Sequence, residues 1–431
     1  MRAVPGTLAL AAAAAVLVVA PPAVAGADDG PADCANIQAQ ADGTHYATDQ
    51  KSLPLEEMGV DDALARLKKE HVKPGAGVTV AVIDSGVSDR APVTVAAHVD
   101  AGNKVPDPSD YHGTAIAGLI AGAARTRKDG GPVGIAPAAR IFDVQVYDEA
   151  GASTDKGSPQ SPMTVDNLRL GLQAVIDAVP LQGIRIVNMS LAIPDDDQIR
   201  DQIAQLTALG VVVVVPTGNR KELPPGLPSS FEQHTSGEDA APYVHPADYP
   251  GVLAVSTTPA GSSDTNPMDW VLENSSTDVA APSAGGVSYS LRGESCLLNE
   301  PATSYAAAEV SGALALLQSA YDESVAASVS RLLATADGRP DVPNTLVGAG
   351  QVQVMDALTR PMEIAADGTV TSAGTVEHQP QELAVPAEPA DVLASTRKNA
   401  VWWGLVGGGT LLLAVVLRPV LARRRRRTVR S

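Results

Sequence analysis

The chain has 431 residues, a formal net charge of −18 and 19% charged residues. An acidic balance of this size argues against nucleic acid and anionic lipid as partners of the bulk of the chain, and it names no substrate. Two cysteines and seven histidines without ligand spacing point to no metal site and no cofactor.

The first 25 residues read as a secretory signal. A basic Met1-Arg2 start is followed by the apolar stretch Thr7 to Ala20 and by the small residues Ala23-Val24-Ala25. That apolar stretch is short for a membrane span and suits a cleaved leader. Residues 26–75 form an N-terminal extension with one expected helix near Leu55 to Glu70. The run GVTVAVI (77–83) is an apolar strand ending at Asp84, and HGTAIAGLIAGA (112–123) is a helix opening on His112. Residues 148–163 are too long and polar for an ordinary connection. A helix follows at 165–179, then the strands RIVNMS (185–190) and VVVVV (211–215), the latter leading to Asn219. A second long loop covers 220–241, and helices are expected at 304–321 and 323–336. Strands that are apolar throughout and alternate with helices indicate an α/β domain over 76–360, its parallel sheet covered on both faces.

Beyond it, 361–397 is rich in Pro, Ala and Glu and reads as a tether. Within 398–422, the stretch Ala400 to Leu417 carries no charge and would cover about 27 Å as a helix, close to one hydrocarbon thickness. Trp402 and Trp403 would sit at the outer interface. Arg418 and the basic tail 423–431 would stay in the cytoplasm, which puts the domain outside the cell membrane. Cys34 and Cys296 then share an oxidising compartment, where one disulfide between them is the economical reading.

Four residue types at element ends would suit acyl transfer at a serine: a hydroxyl, an imidazole, a carboxylate to orient it, and an oxyanion donor. Asp84 ends a strand, His112 opens a helix, Asn219 follows a strand and Ser304 begins a helix. Each also has a plain structural reading: Asp84 and Asn219 as turn residues, His112 as a solvated side chain, Ser304 as a capping hydroxyl.

Together the stretches VAVIDSG, HGTAIAG, VVPTGN and ATSYA, in the order Asp, His, Asn, Ser, resemble the signature segments of the subtilisin-like serine proteases. The resemblance covers about 75–360 and takes in VGIAP (133–137), RIVNMSL (185–191), YPGVLAVST (249–257) and DVAAPS (278–283). It implies a subtilisin-like three-layer fold and a serine endopeptidase. Asp84, His112 and Ser304 would be its triad, Asn219 its oxyanion donor, and Ser190, Leu191 and Ala192 the wall of the pocket for the residue before the scissile bond. The order of segments along the whole chain is similar to the mycosins, membrane-anchored subtilisin-like proteases associated with type VII secretion. That likeness implies protein or peptide substrates, secretion-complex membrane components as partners, inner-membrane attachment through the C-terminal helix, and no required calcium. A catalytically weak or inactive protease-fold scaffold that stabilises the secretion membrane complex is the other reading it leaves open. A Cys34–Cys296 bond would pin the extension beside the nucleophile loop as a lasting wrap.

This chain departs from the family pattern at three places. Ala302 stands for the Gly before Thr-Ser, Ala308 for a Pro, and Ala192-Ile193 for a Gly-Gly pair. A methyl at 302 is expected to strain the turn if that turn needs positive φ. Ala192-Ile193 is expected to narrow the cleft.

Overall fold

The computed structural model describes residues 33–37 and 47–373, apart from 103–106, 127, 129, 149–162, 222, 224–225, 233, 236, 261–265 and 339–342. It also describes 402, 405–413 and 415–418 near the C-terminus. The expected signal segment 1–25 and the basic tail 423–431 lie outside these residues, as does nearly all of the loop expected at 148–163.

In chain order the elements are α1 (Leu53–Glu57), α2 (Val60–Lys69), β1 (Thr79–Asp84), β2 (Val95–Asp100), α3 (His112–Ala121), β3 (Arg140–Gln145), α4 (Val165–Gln182) and β4 (Ile184–Asn188). There follow α5 (Asp197–Ala208), β5 (Val212–Pro216), β6 (Val252–Thr258), β7 (Val279–Pro282), β8 (Gly286–Tyr289), β9 (Ser295–Leu298) and α6 (Thr303–Ala320). Last come α7 (Val325–Ala334), α8 (Val354–Thr359), β10 (Met362–Ile364) and β11 (Val370–Ala373).

Seven strands form one sheet in the order β2-β3-β1-β4-β5-β6-β7, and every neighbouring pair is parallel. The strand runs that looked uniformly apolar still obey a period of two. Val80 and Val82 of β1 join the core beneath α3 and α6, whereas Ala81 and Ile83 join the core beneath α4 and α5. Two helical layers therefore explain why Val80 to Ile83 of β1 are apolar without a break before Asp84. The chain passes from β1 to β2 and β3 on one side, then crosses to β4 on the other. The carboxyl ends of the strands around that reversal are where side chains in such a sheet converge.

The extension belongs to this core. Ile37, Leu55, Met58, Val60 and Leu67 are all buried in it, and the Cys34–Cys296 disulfide joins it to β9. Thr48 exchanges hydrogen bonds with Ser295. The single helix expected over Leu55 to Glu70 is two helices, because Gly59 sits between them at φ +69, a conformation that ends one helix and re-aims the next. A side chain there would also press on Met355.

Two further stretches differ from expectation. β8 and β9 make an antiparallel hairpin that carries Cys296, which the sequence reading did not anticipate. The first part of the stretch read as a tether, 361–373, is instead folded: β10 and β11 pair as a hairpin whose turn accepts a bond from Ser324 Oγ at the start of α7. The loop 220–241 is tied down over its described part by Arg220. That side chain donates to the carbonyls of Met268 (2.6 Å) and Phe231 (2.9 Å) and pairs with Glu238. As for the expected span, residues 402, 405–413 and 415–418 are helical, but among the described residues no helix is long and apolar enough to cross a membrane.

Helix α6 is buried from Thr303 through Gln318, as a helix apolar all round must be. Within it Glu309 is fully buried, and neither carboxyl oxygen meets a hydrogen-bond partner among the described residues. Burial, with a smaller contribution from the charge of Glu57, pushes its pKa well above the ordinary value of 4.5. The folded chain keeps this proton at a pH where the unfolded chain has released it. Stability is therefore lost progressively as pH rises above about 4.5 toward the raised folded value. Glu309→Met is expected to raise unfolding free energy at pH 8 by about 1–3 kcal/mol and by less at pH 5; urea titrations at the two pH values measure both.

Candidate active site

Asp84 closes β1 at the carboxyl edge of the sheet and is fully buried. Its carboxylate accepts from the Ser85 N–H at 2.8 Å and from the Tyr147 hydroxyl at 3.1 Å. The His112 Nδ1 lies 2.8 and 3.0 Å from its two oxygens. A buried carboxylate needs such donors in place of water. Burial, then the nearby charge of Asp84, pushes the Tyr147 phenol well above its ordinary pKa, so it stays a donor.

His112 is held from both sides. Its backbone N–H donates to Asp110 Oδ1 at 2.8 Å, and Asp110 is placed in turn by Asp148, which accepts from the Ser109 and Asp110 N–H groups at 2.8 and 2.9 Å. Burial raises the Asp110 pKa, opposed by the bond from the His112 backbone. The next residue, Gly113, donates to Ser85 Oγ at 2.9 Å. A Cβ on Gly113 would lie 2.6 Å from the Gly86 carbonyl oxygen, so only glycine lets α3 approach the loop after Asp84 this closely.

Ser304 is the second residue of α6, and the capping position is Ala302. Its hydroxyl lies 3.1 Å from His112 Nε2, so Ser304 is not a capping residue. Asn219 takes that role from outside the helix: its Oδ1 accepts from the Thr303 N–H at 2.8 Å and the Thr303 hydroxyl at 2.9 Å. Those two bonds turn the amide so that its NH2 end is the opposite one, and Asn219 shares two cavities with Ser304. Asp84, His112, Asn219 and Ser304 therefore meet at one place, with a continuous hydrogen-bond chain from Asp84 to Ser304.

One cavity, of about 360 Å³, is lined by Ser190, Leu191 and Ala192 together with Asp110, Tyr147, Gly218 and Ser304. Ser190 does more than line it. Its hydroxyl donates to the Ser304 carbonyl at 2.9 Å and accepts from Asn188 Nδ2 at 2.8 Å, so it ties this wall to the nucleophile helix. Of the Ala192-Ile193 pair, only Ala192 reaches the cavity. Ile193 is buried in the core beneath α4 and α5 and pairs its backbone with His245. The expected narrowing therefore comes down to one methyl group.

The strain expected at Ala302 is absent. Its φ of −143° and ψ of 137° are extended backbone that any residue adopts, and its N–H donates to Ser283 Oγ at 2.9 Å. Sequence reasoning missed Tyr147, Asp110, Asp148 and Asn188. Asp110, two residues before a helix-opening histidine, carried a readable turn signal; Tyr147 and Asn188 act across the sheet and carried none.

A serine, histidine and aspartate linked in this way at the edge of a doubly covered parallel sheet define a serine-hydrolase type of site. The family comparison agrees: the chain belongs to the subtilase family, whose model matches residues 75–350. Within that family of serine proteases it is similar to the mycosins. Mycosin-1 of Mycobacterium tuberculosis is 34% identical over 316 residues, covering 66% of this chain and 69% of that protein. The crystal structure of MycP1 from the ESX-1 type VII secretion system superposes with a TM-score of 0.57 at 26% identity, over 77% of this chain and 90% of that one. The MycP3 protease from the ESX-3 system gives 0.54 at 27%, over 75% and 93%.

Because Ala302 is unstrained, Ala302→Gly is expected to change the rate of fluorophosphonate labelling at Ser304 by less than about threefold, or about 0.65 kcal/mol. A gain of tenfold or more would show that the methyl itself obstructs the cleft.

Proposed function

We propose that this chain is a membrane-anchored, extracytoplasmic serine endopeptidase that cleaves secreted proteins and supports a type VII secretion complex. The observation that carries the chemical part is the chain of contacts Asp84–His112–Ser304, at 2.8 and 3.1 Å. His112 Nε2 takes the Ser304 proton as Oγ attacks the scissile carbonyl, and Asp84 holds the imidazole in the tautomer that can accept it. The tetrahedral oxyanion is met by the Asn219 amide NH2 and by the backbone N–H of Ser304 at the start of α6, where the helix dipole also favours negative charge. Breakdown expels the amine, which receives the proton back from His112; water then repeats the cycle on the acyl-enzyme. Ser190, Leu191 and Ala192 would hold the residue before the scissile bond, and the Ala192 methyl favours a small side chain there.

The place of action is supported by the uncharged stretch Ala400 to Leu417 followed by arginines. The secretion role is supported by likeness to proteases of the ESX-1 and ESX-3 systems.

A fluorophosphonate probe applied to the purified chain is expected to label the wild type at Ser304 and to leave Ser304→Ala unlabelled. Peptide hydrolysis should fall by about 10⁴-fold or more in that variant. Asn219→Asp keeps the acceptor that Thr303 needs while removing the oxyanion donor. It is expected to lower kcat by roughly 10²–10³, the loss seen when subtilisin is deprived of such a donor, with KM little changed. Equal labelling of wild type and Ser304→Ala would end the peptidase reading.

A further inference from the structure

A second cavity, of about 280 Å³, opens on the other side of Ser304. Ser304, His112, Asn219 and Tyr305 line it, but none of Ser190, Leu191 or Ala192 does. If the Ser190–Ala192 wall takes the residue whose carbonyl is attacked, this cavity takes the leaving-group side of the substrate. Its far wall comes from the N-terminal extension, through Asp33 and Ala35.

The charges on that wall are unequal. Among the described residues, the acidic and basic side chains lining the cavity besides His112 are Asp33, Lys221 and Glu300. Lys221 is committed: its Nζ lies 3.2 Å from Glu300 and 4.0 Å from the centre of the Trp270 ring. That pair cancels. Among the described residues Asp33 meets only neutral donors, the Ala35 N–H at 3.0 Å and Asn299 Nδ2 at 3.0 Å. These orient the carboxylate without offsetting its charge. Its position is set by a backbone bridge to Leu297 and by the disulfide from the adjacent Cys34 to Cys296. The acidic balance of the whole chain adds to the same preference.

We propose that Asp33, delivered by the extension, makes the leaving-group side of the cleft select substrates with a lysine or arginine just after the scissile bond. Asp33 is a specificity residue that acts on the bound substrate, and the disulfide is what keeps it there. The proposal rests on the peptidase reading above.

The test uses the full-length protein and internally quenched peptides that differ only in the two residues after the scissile bond, carrying lysine, alanine or glutamate. The lysine peptide is expected to exceed the glutamate peptide in kcat/KM by about five-fold or more at low salt, a margin that shrinks in 0.5 M salt. Asp33→Asn should bring the two peptides within about twofold of each other, and so should Cys34→Ser combined with Cys296→Ser. A wild type that labels with the fluorophosphonate probe yet cleaves both peptides equally overturns this proposal alone. Discrimination that survives in Asp33→Asn overturns it too. Failure of the probe to label Ser304 overturns the peptidase reading and this proposal with it.

Discussion

The start of α6 is the constraint on which the cleft depends. A helix buried over nearly its whole length must satisfy its first N–H groups away from water, and Ala302 at the capping position has no side-chain acceptor to offer. Other segments make up the deficit. Asn219, just beyond β5, accepts from Thr303. Ser283, just beyond β7, holds the Ala302 N–H, and Ser190, just beyond β4, holds the Ser304 carbonyl. Asn188 then links Ser190 back to Ser311, two turns further along the same helix. Three strand ends of one parallel sheet thus converge on one helix end. The Ser304 hydroxyl inherits the rigidity of the sheet and is free to face His112.

The other half of the site is built on carboxylates. Asp84, Asp110 and Asp148 lie close together, and like charges at short range would disfavour one another. The fold handles this by giving each its own donors: Tyr147, the Ser85 N–H and His112 for Asp84, the His112 backbone for Asp110, and the Ser109 and Asp110 N–H groups for Asp148. Asp148 orders the turn that Asp110 belongs to, and Asp110 fixes the first N–H of α3. The imidazole that reaches Asp84 is therefore positioned by a relay of short backbone bonds running along the outside of the sheet.

What could be read from the residues follows from which forces are local. Apolar strands, helix periods and the Asp, His, Asn, Ser order are local signals, and the sheet and the four meeting residues correspond to them. The splitting of the first helix was also local, at Gly59, but a helical period on both sides masked it. Ala302 and Ile193 were misjudged because their effect depends on backbone direction. Extended φ at Ala302 removes the strain, and a backbone bridge to His245 holds Ile193 with its side chain in the core, away from the cavity. Tyr147 and Glu309 were invisible for a different reason. A tyrosine reaching Asp84 from beyond β3, and a glutamate buried without partners in a helix, are set by tertiary neighbours that no sequence window contains.

The extension joins two properties that are usually separable. By its place in the chain it looks like a segment that could be removed once folding is complete. Yet Ile37, Leu55, Met58 and Leu67 are almost wholly buried, and each such side chain is worth about 1.5–3 kcal/mol against exposure. Exposing all four would cost about 6–12 kcal/mol, comparable to the whole net stability of an ordinary domain, about 5–15 kcal/mol. The same segment carries Asp33 into the wall of the cleft and is fastened there by Cys34. The disulfide and this packing together hold the extension beside the cleft. Under the specificity proposed for Asp33, a change in what the leaving-group side accepts would arise within a segment that also contributes to the core.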